Sequence, residues 1–181
     1  MGGLGRGERA WVRGAQAGSV SDLEALFRSH WPRAYRAALL IVHDSAAAED
    51  IAQESFLAAL RSLDRFDVRR PFGPWLHRIA VNRAIDWARA RALRGEVGAG
   101  SLPEVAGAAK ADDGSALVSD DVSRALRALS PDHRAVIVLR YLLEYTPGEI
   151  ADMLDLPRGT VNSRLRRGLD ELQDELPKDS S

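Results

Sequence analysis

Apolar positions recur at helical spacing in two stretches of the chain and lose that spacing between them. In the first stretch, Leu23, Leu26, Phe27 and Trp31 fall on one face, which predicts an amphipathic helix starting near Ser21-Asp22-Leu23-Glu24. The helical pattern continues after Pro32 over residues 33–42. A third helix is predicted over residues 45–63, with Ile51, Phe56, Leu57 and Leu60 apolar and Asp50, Gln53 and Glu54 on a different side. Pro71, Gly73 and Pro74 punctuate a break over residues 64–74, and a fourth helix is predicted over residues 75–93.

The second stretch is more sharply punctuated. Ser130-Pro131 reads as an N-cap followed by proline at the first helical position, ahead of Val136, Ile137, Leu139 and Leu143. Thr146-Pro147-Gly148-Glu149 reads as a capping box, with Pro147 at N1 and Glu149 at N3. The short helix it starts carries Ile150, Ala151 and Leu154. A tight turn at Asp155-Leu156-Pro157 leads to a last helix with Val161, Leu165, Leu169, Leu172 and Leu176 on its apolar side.

No strand-like alternation stands out. Residues 95–119 are rich in Gly and Ala, contain Pro103 and scattered acids, and read as a flexible linker, too long for an ordinary loop inside one compact domain. The predicted fold is therefore all-α: two small helical domains joined by a flexible linker, the second a helix-turn-helix domain. The expected boundaries are an N-terminal extension over 1–18, a first domain over 19–94, the linker over 95–119, a second domain over 120–177 and a tail over 178–181.

Charge sharpens this division. The net charge of −1 conceals a net +6 over residues 61–94 and a net −5 over residues 95–121. A second basic run, residues 158–167, holds four Arg and no acid. Two local basic patches on a nearly neutral chain suggest site-specific contact with a polyanion. The basic residues are 23 Arg and only two Lys, and Arg offers a planar donor fork suited to phosphates and base edges.

Other chemistry finds little support. With no cysteine, disulfides and thiolate metal sites are excluded. His30, His43, His77 and His133 lack ligand spacing and read as surface or partly packed side chains, so no metal or cofactor is expected. No paired carboxylates, nucleophile–base set or Gly-rich phosphate loop has a supporting context, so no enzyme is expected. No run approaches about 18 apolar residues, and the N-terminus lacks a signal peptide's apolar stretch; a cytoplasmic protein without membrane insertion is the expectation.

The strongest local signal is the helix-turn-helix over residues 146–169. With Val161, Leu165 and Leu169 facing the core, Arg158, Thr160, Ser163, Arg164 and Arg167 are left for DNA, as in a recognition helix entering the major groove. A second signal lies in the helix from Trp75, where Trp75, Arg78, Asn82 and Arg89 fall on one stripe. Leu76, Ile79, Ala80 and Trp87 fall on another. The preceding loop adds Phe66, Arg69, Arg70 and Phe72. Interleaved aromatic and basic groups suit an unpaired strand, whose bases stack or enter a pocket while Arg holds phosphates.

Three runs carry a family resemblance: Ala48-Glu49-Asp50-Ile51-Ala52-Gln53-Glu54-Ser55-Phe56; Trp75-Leu76-x-x-Ile79-Ala80-x-Asn82-x-x-x-Asp86; and Gly159-Thr160-Val161-x-Ser163-Arg164-Leu165. In order and spacing they resemble the extracytoplasmic-function (ECF) sigma factors of the sigma-70 family. The resemblance implies a factor that binds core RNA polymerase, recognises −35 and −10 promoter elements and promotes strand opening. It implies that Asp50, Gln53 and Glu54 bind the clamp helices of the largest polymerase subunit, with further contact at the flap region. It implies that loop 66–72 and Asn82 capture a flipped base of the −10 element, with Arg78, Arg83 and Arg89 near the strand backbone. The helix-turn-helix is implied to read the −35 element, the acidic linker to thread near the RNA exit channel, and an anti-sigma factor to cover the domains. Pro71, Pro74 and the Arg69-Arg70 pair depart from the family's commoner loop. The alternative is a stand-alone helix-turn-helix regulator, which accounts for residues 146–169 but not for the first 94.

Overall fold

The computed structural model describes residues 6–95 and 120–176, all helices and connecting turns. The predicted linker, but for Gly95, lies outside the described residues, as does the whole of the predicted tail. Four helices precede the gap: α1 (Arg6–Gln16), α2 (Val20–Val42), α3 (Ser45–Arg61) and α4 (Phe72–Leu93). Four follow it: α5 (Asp120–Ala128), α6 (Pro131–Ile137), α7 (Pro147–Leu154) and α8 (Arg158–Glu175).

Local caps explain most boundaries. Ser19 accepts from the Asp22 N–H to start α2, and Asp44 accepts from the Ala47 N–H at 2.9 Å to start α3. Helix α2 runs on through the exposed Pro32. One missing backbone donor is tolerated there because buried residues lie on both sides of it, Leu26 and His30 before, Ala34, Ala37 and Ala38 after. Ser130 caps α6, and the Thr146–Glu149 capping box starts α7 as expected. Asp155, in the left-handed region at φ 54°, ends α7, and Pro157 stands at the N-cap position of α8, where its carbonyl accepts from the Thr160 and Val161 N–H. The predicted helix-turn-helix punctuation is therefore present.

Three features differ from the sequence reading. Helix α1 lies in what was expected to be an extension; Gly7 and Gly14 lower its local propensity, yet Val12 is buried and tertiary bonds hold it in place. Helix α4 begins at Phe72 instead of Trp75. Pro74 occupies the third helical position, where its missing N–H has no intrahelical partner to lose. After α6 the chain widens into a π-type turn, Val138–Leu142, closed by the Leu143 N–H on Val138 O at 3.1 Å.

Two apolar clusters result. One lies within the first four helices and contains Leu26, Phe56, Leu63, Phe72 and Leu76. The other runs from Ala37, Ile41, Val81 and Ile85 of α2 and α4 into Val136, Leu139, Ile150, Val161 and Leu165 of α6–α8. The two halves of the chain thus share one continuous apolar core. Small residues at Ala34, Ala37, Ala38, Ala80 and Ala84 let the helix backbones of the first half approach closely.

Phe72 is 0% exposed, ringed by His30, Phe56, Phe66 and Trp75. Phe72→Ala is expected to lower unfolding free energy by about 3–5 kcal/mol in urea titration, the range for a buried aromatic lost to a cavity. A change under about 1 kcal/mol would contradict its core placement.

Candidate nucleic-acid interface

Two sets of side chains bear on DNA. In the first, Trp75 stacks on Phe66, with ring centroids 4.5 Å apart and planes inclined by 28°. Both rings are half-buried, while Arg70, Arg78 and Arg83 are exposed. Arg69 is exposed too, but its guanidinium folds back on Asp67 at 2.9 Å and holds that carboxyl below the usual carboxylate range. Phe72 must be removed from this set. Its ring supports the loop from beneath and has no face free for a base.

Asn82 lies two turns beyond Trp75 on the same stripe. Its amide donates to Arg78 O at 2.8 Å and to Met153 O of α7 at 3.1 Å. Arg89, one further repeat along, pairs with Asp132 at the start of α6. The stripe is therefore divided: its first turns face solvent, and its later turns meet the second half of the chain.

In the second set, Arg158 and Arg167 are exposed and Thr160, Ser163 and Arg164 are half-buried. Val161 and Leu165 are buried beneath them, but Leu169, expected in the core, is 38% exposed. The buried stripe passes instead through Gly168, where a Cβ would stand 3.1 Å from Ile137. Leu169 is rotated by about 100° from that line.

On α3, Asp50, Gln53 and Glu54 are all exposed, opposite buried Ile51, Ala52, Ser55 and Phe56. Leu57, expected on the apolar face, is 44% exposed and follows Gln53 and Glu54 at helical spacing. It adds an apolar group to that acidic, polar surface.

Residues 26–94 match sigma-70 region 2, and residues 119–172 match sigma-70 region 4. The chain is 36% identical over 146 residues to the ECF RNA polymerase sigma factor SigW of Bacillus subtilis, covering 71% of this chain and 75% of that protein. It is 35% identical over 158 residues to the ECF RNA polymerase sigma factor SigL of Mycobacterium tuberculosis, covering 86% and 89%. The chain belongs to the ECF sigma factors of the sigma-70 family. A solved structure of the sigma factor RpoE in complex with the anti-sigma factor NepR, from Bartonella quintana, is similar at TM-score 0.68 and 25% identity, over 88% of this chain and 99% of that one.

Regions 2 and 4 of this sigma factor meet through part of their candidate DNA sets, Asn82 and Arg89 on one side and Arg164 on the other. Asp132 joins them: it accepts from Arg89 and stands 3.6 Å from Arg164. Asn82, Asp86 and Arg89 of region 2 and Asp132, Leu154, Leu156 and Arg164 of region 4 line one small crevice. A half-exposed ion pair of this kind contributes only about 0–1 kcal/mol. The apolar core beneath and two buried polar links carry more of the contact.

One link joins His77 Nδ1 and the Tyr145 hydroxyl at 2.7 Å. The other is Arg134, which donates to Leu126 O, Arg127 O and Leu129 O at the end of α5 and to Ile41 O of α2. These partners lie up to 93 positions apart in sequence, so no local pattern announces them. Asp132 alone had a local signal, as an acid in the first turn of α6. The expectation that all four histidines are surface or partly packed side chains fails for His30 and His77, which are buried.

Burial pushes His77 down to about 3, and burial together with the Arg134 and Arg127 charges pushes His43 down to about 3. In the unfolded chain both return to about 6.5. The unfolded state then binds more protons below that value, so stability is complete above pH 6.5 and falls as pH drops toward 3. Glu8, held below its ordinary value chiefly by its bond with His30, loses stability in the same direction, and only toward the acid end of this range. Urea titration at pH 5.0 is expected to give an unfolding free energy lower than at pH 7.5 by about 2 kcal/mol per histidine. His77→Gln is expected to remove about half of that fall; an equal pH slope in both proteins would contradict the assignment.

Proposed function

We propose that this chain is a transcription initiation factor that binds core RNA polymerase, reads the −35 and −10 promoter elements and promotes strand opening. The observation that carries this reading is the presence, in one chain and in family order, of two basic faces on separate helical regions: Phe66, Arg69, Arg70, Trp75, Arg78, Asn82, Arg83 and Arg89 in region 2, and Arg158, Thr160, Ser163, Arg164 and Arg167 in region 4. The proposed domains are those two regions, residues 19–94 and 120–177.

The two faces suit different forms of DNA. Helix α8 is 18 residues long and begins with Arg158, so it can present its first turns to a major groove. The Phe66–Trp75 stack beside exposed guanidiniums suits a flipped base on an unpaired strand. The acidic face of α3, with Asp50, Gln53, Glu54 and the neighbouring Leu57, complements a basic groove, here that of the clamp helices of the largest polymerase subunit. Region 4 is assigned the flap region, and the cytoplasm is the proposed compartment. Among the described residues no helix is long and apolar enough to cross a membrane. The RpoE–NepR complex supports an anti-sigma factor as a further partner.

Reading both elements requires regions 2 and 4 to separate. Elements about 25 base pairs apart lie roughly 85 Å apart at about 3.4 Å per base pair. In the closed chain, Asn82 and Arg89 contact region 4 directly. The covalent reach of residues 96–119 is at most roughly 85 Å, enough for the two regions to act at separate sites.

The test is in vitro transcription with core polymerase from promoters found by mapping start sites after expression of the chain. Asn82→Ala and Arg164→Ala are each expected to lower initiation about tenfold, as for a lost base or phosphate contact. Triple alanine at Asp50, Gln53 and Glu54 is expected to abolish core binding. Initiation unchanged by all three variants, or tight duplex binding by the chain alone that polymerase does not improve, would overturn the proposal.

A further inference from the structure

Helix α1 lies outside the region 2 match, which begins at residue 26, yet it bonds to both ends of the segment that carries Phe66. Three of its residues, Glu8, Val12 and Gln16, recur every fourth position and so share one face. Val12 is buried in the first apolar cluster and fixes the helix against region 2. Glu8 and Gln16, on either side of it, reach the backbone of residues 63–72.

Gln16 acts at the first end. Its one amide group donates to Leu63 O at 2.8 Å and to Phe66 O at 2.9 Å, using both of its hydrogens. These carbonyls flank the single helical turn Leu63–Arg65, where the chain leaves α3 and becomes extended at Phe66. The backbone bond from the Phe66 N–H to Leu63 O, at 3.0 Å, closes the turn internally. Gln16 ties that turn to another helix and sets where the Phe66 ring leaves it.

Glu8 acts at the second end. The residue capping α4 is Pro71, which has no side-chain acceptor for the helix's first N–H groups. Glu8 Oε1 takes that role from 64 positions away, accepting from the Phe72 N–H at 2.8 Å. Its other oxygen stands 3.3 Å from His30 Nε2. A carboxylate at a helix N-terminus is also favoured by the helix dipole. Between these two anchors the hydrogen bonds of residues 67–71 are short-range, Arg70 N–H to Asp67 O and Arg69 N–H to the Asp67 carboxylate, and Val68 packs on the first apolar cluster.

We propose that Glu8 and Gln16 are positioning residues of the −10 reading site, clamping the two ends of the segment 63–72 so that Phe66 is held in its stack with Trp75. The inference rests on the −10 role given above to that segment. It adds that α1, beyond the matched region, belongs to the reader and bears on its specificity. A base pocket built on a loop is only as selective as the loop is fixed, and a displacement of about 1 Å is enough to lose most of a well-oriented contact.

Gln16→Glu tests this directly. The side chain keeps its shape but sets a carboxylate oxygen against two carbonyls. Gln16→Met removes both donors without adding charge. Each variant, as full chain with core polymerase, is assayed for core affinity and for initiation from a mapped promoter. The same promoter with −10 bases changed one at a time, and with −35 bases changed, completes the set. Gln16→Glu holoenzyme is expected to assemble with affinity within twofold of wild type and to initiate at least tenfold more slowly. Its preference for the native −10 sequence is expected to collapse while its preference at −35 is kept. Gln16→Met is expected to shift in the same direction. Glu8→Ala should behave likewise, and Glu8→Gln, which keeps an acceptor for the Phe72 N–H, should restore most of the discrimination.

Undiminished −10 discrimination in both Gln16 variants would overturn the inference. So would equal losses at −10, at −35 and in core affinity, the pattern of a damaged fold. A wild-type holoenzyme that fails to initiate overturns the proposed function and this inference with it. A wild type that initiates beside equally discriminating Gln16 variants overturns this inference alone.

Discussion

Arg134 is a cation inside the protein, and the arrangement of the two regions depends on how it is satisfied. Burial and the nearby Arg127 charge lower its guanidinium to about 10, so it remains protonated at neutral pH. A buried charge is costly unless its donors are met. Three of the four carbonyls that meet them belong to the end of α5, and the fourth, Ile41 O, belongs to the last turn of α2. Carbonyls at helix ends lack intrahelical donors and carry the negative end of the helix dipole. One side chain therefore answers two needs and sits where regions 2 and 4 meet.

Around that anchor the interface is graded. Apolar contact between α2, α4 and α6 lies beneath it. The His77–Tyr145 bond lies to one side, and the solvent-facing margin is the Asn82–Met153 and Arg89–Asp132–Arg164 contacts. The margin uses the same side chains that the proposed function needs for DNA. On the proposed function, closure and promoter reading compete for Asn82, Arg89 and Arg164. The other end of the region 2 stripe, with Phe66 and Trp75, stays outside this contact and is governed by α1.

Local chemistry made much of this legible in the sequence. Ser130, Thr146 with Glu149, and Asp155 with Pro157 act on backbone groups within four residues, so their roles can be read from short strings. The exposure of Asp50, Gln53 and Glu54 followed from helical phase in the same way. What was not legible depends on distant partners. Residues 1–18 read as an extension, and α1 is secured there by the burial of Val12 and by Glu8 and Gln16 bonding 47–64 positions away. In the sequence Pro74 marks a break and leaves Phe72 in a loop, yet proline in a first helical turn is permissive and α4 begins at Phe72. Leu57 and Leu169 fall at apolar helical spacing in the sequence, but both lie at the edge of the buried face and are half outside. The π-type turn after Ile137, which precedes Tyr145 and its contact with His77, has no residue signature at all.

One closed core holds the two candidate reading faces together in the free chain, and on the proposed function polymerase separates them. Because the chain has no cysteine, Asp86→Cys on α4 with Asp152→Cys on α7 provides two unique sites for spin labels, both exposed and one on each region. The distance between the labels is the most direct measurement. The account predicts one short, narrow distance in the free chain and a much longer one once core polymerase is bound. A long, broad distribution in the free chain, or a short distance that persists on polymerase, would contradict it.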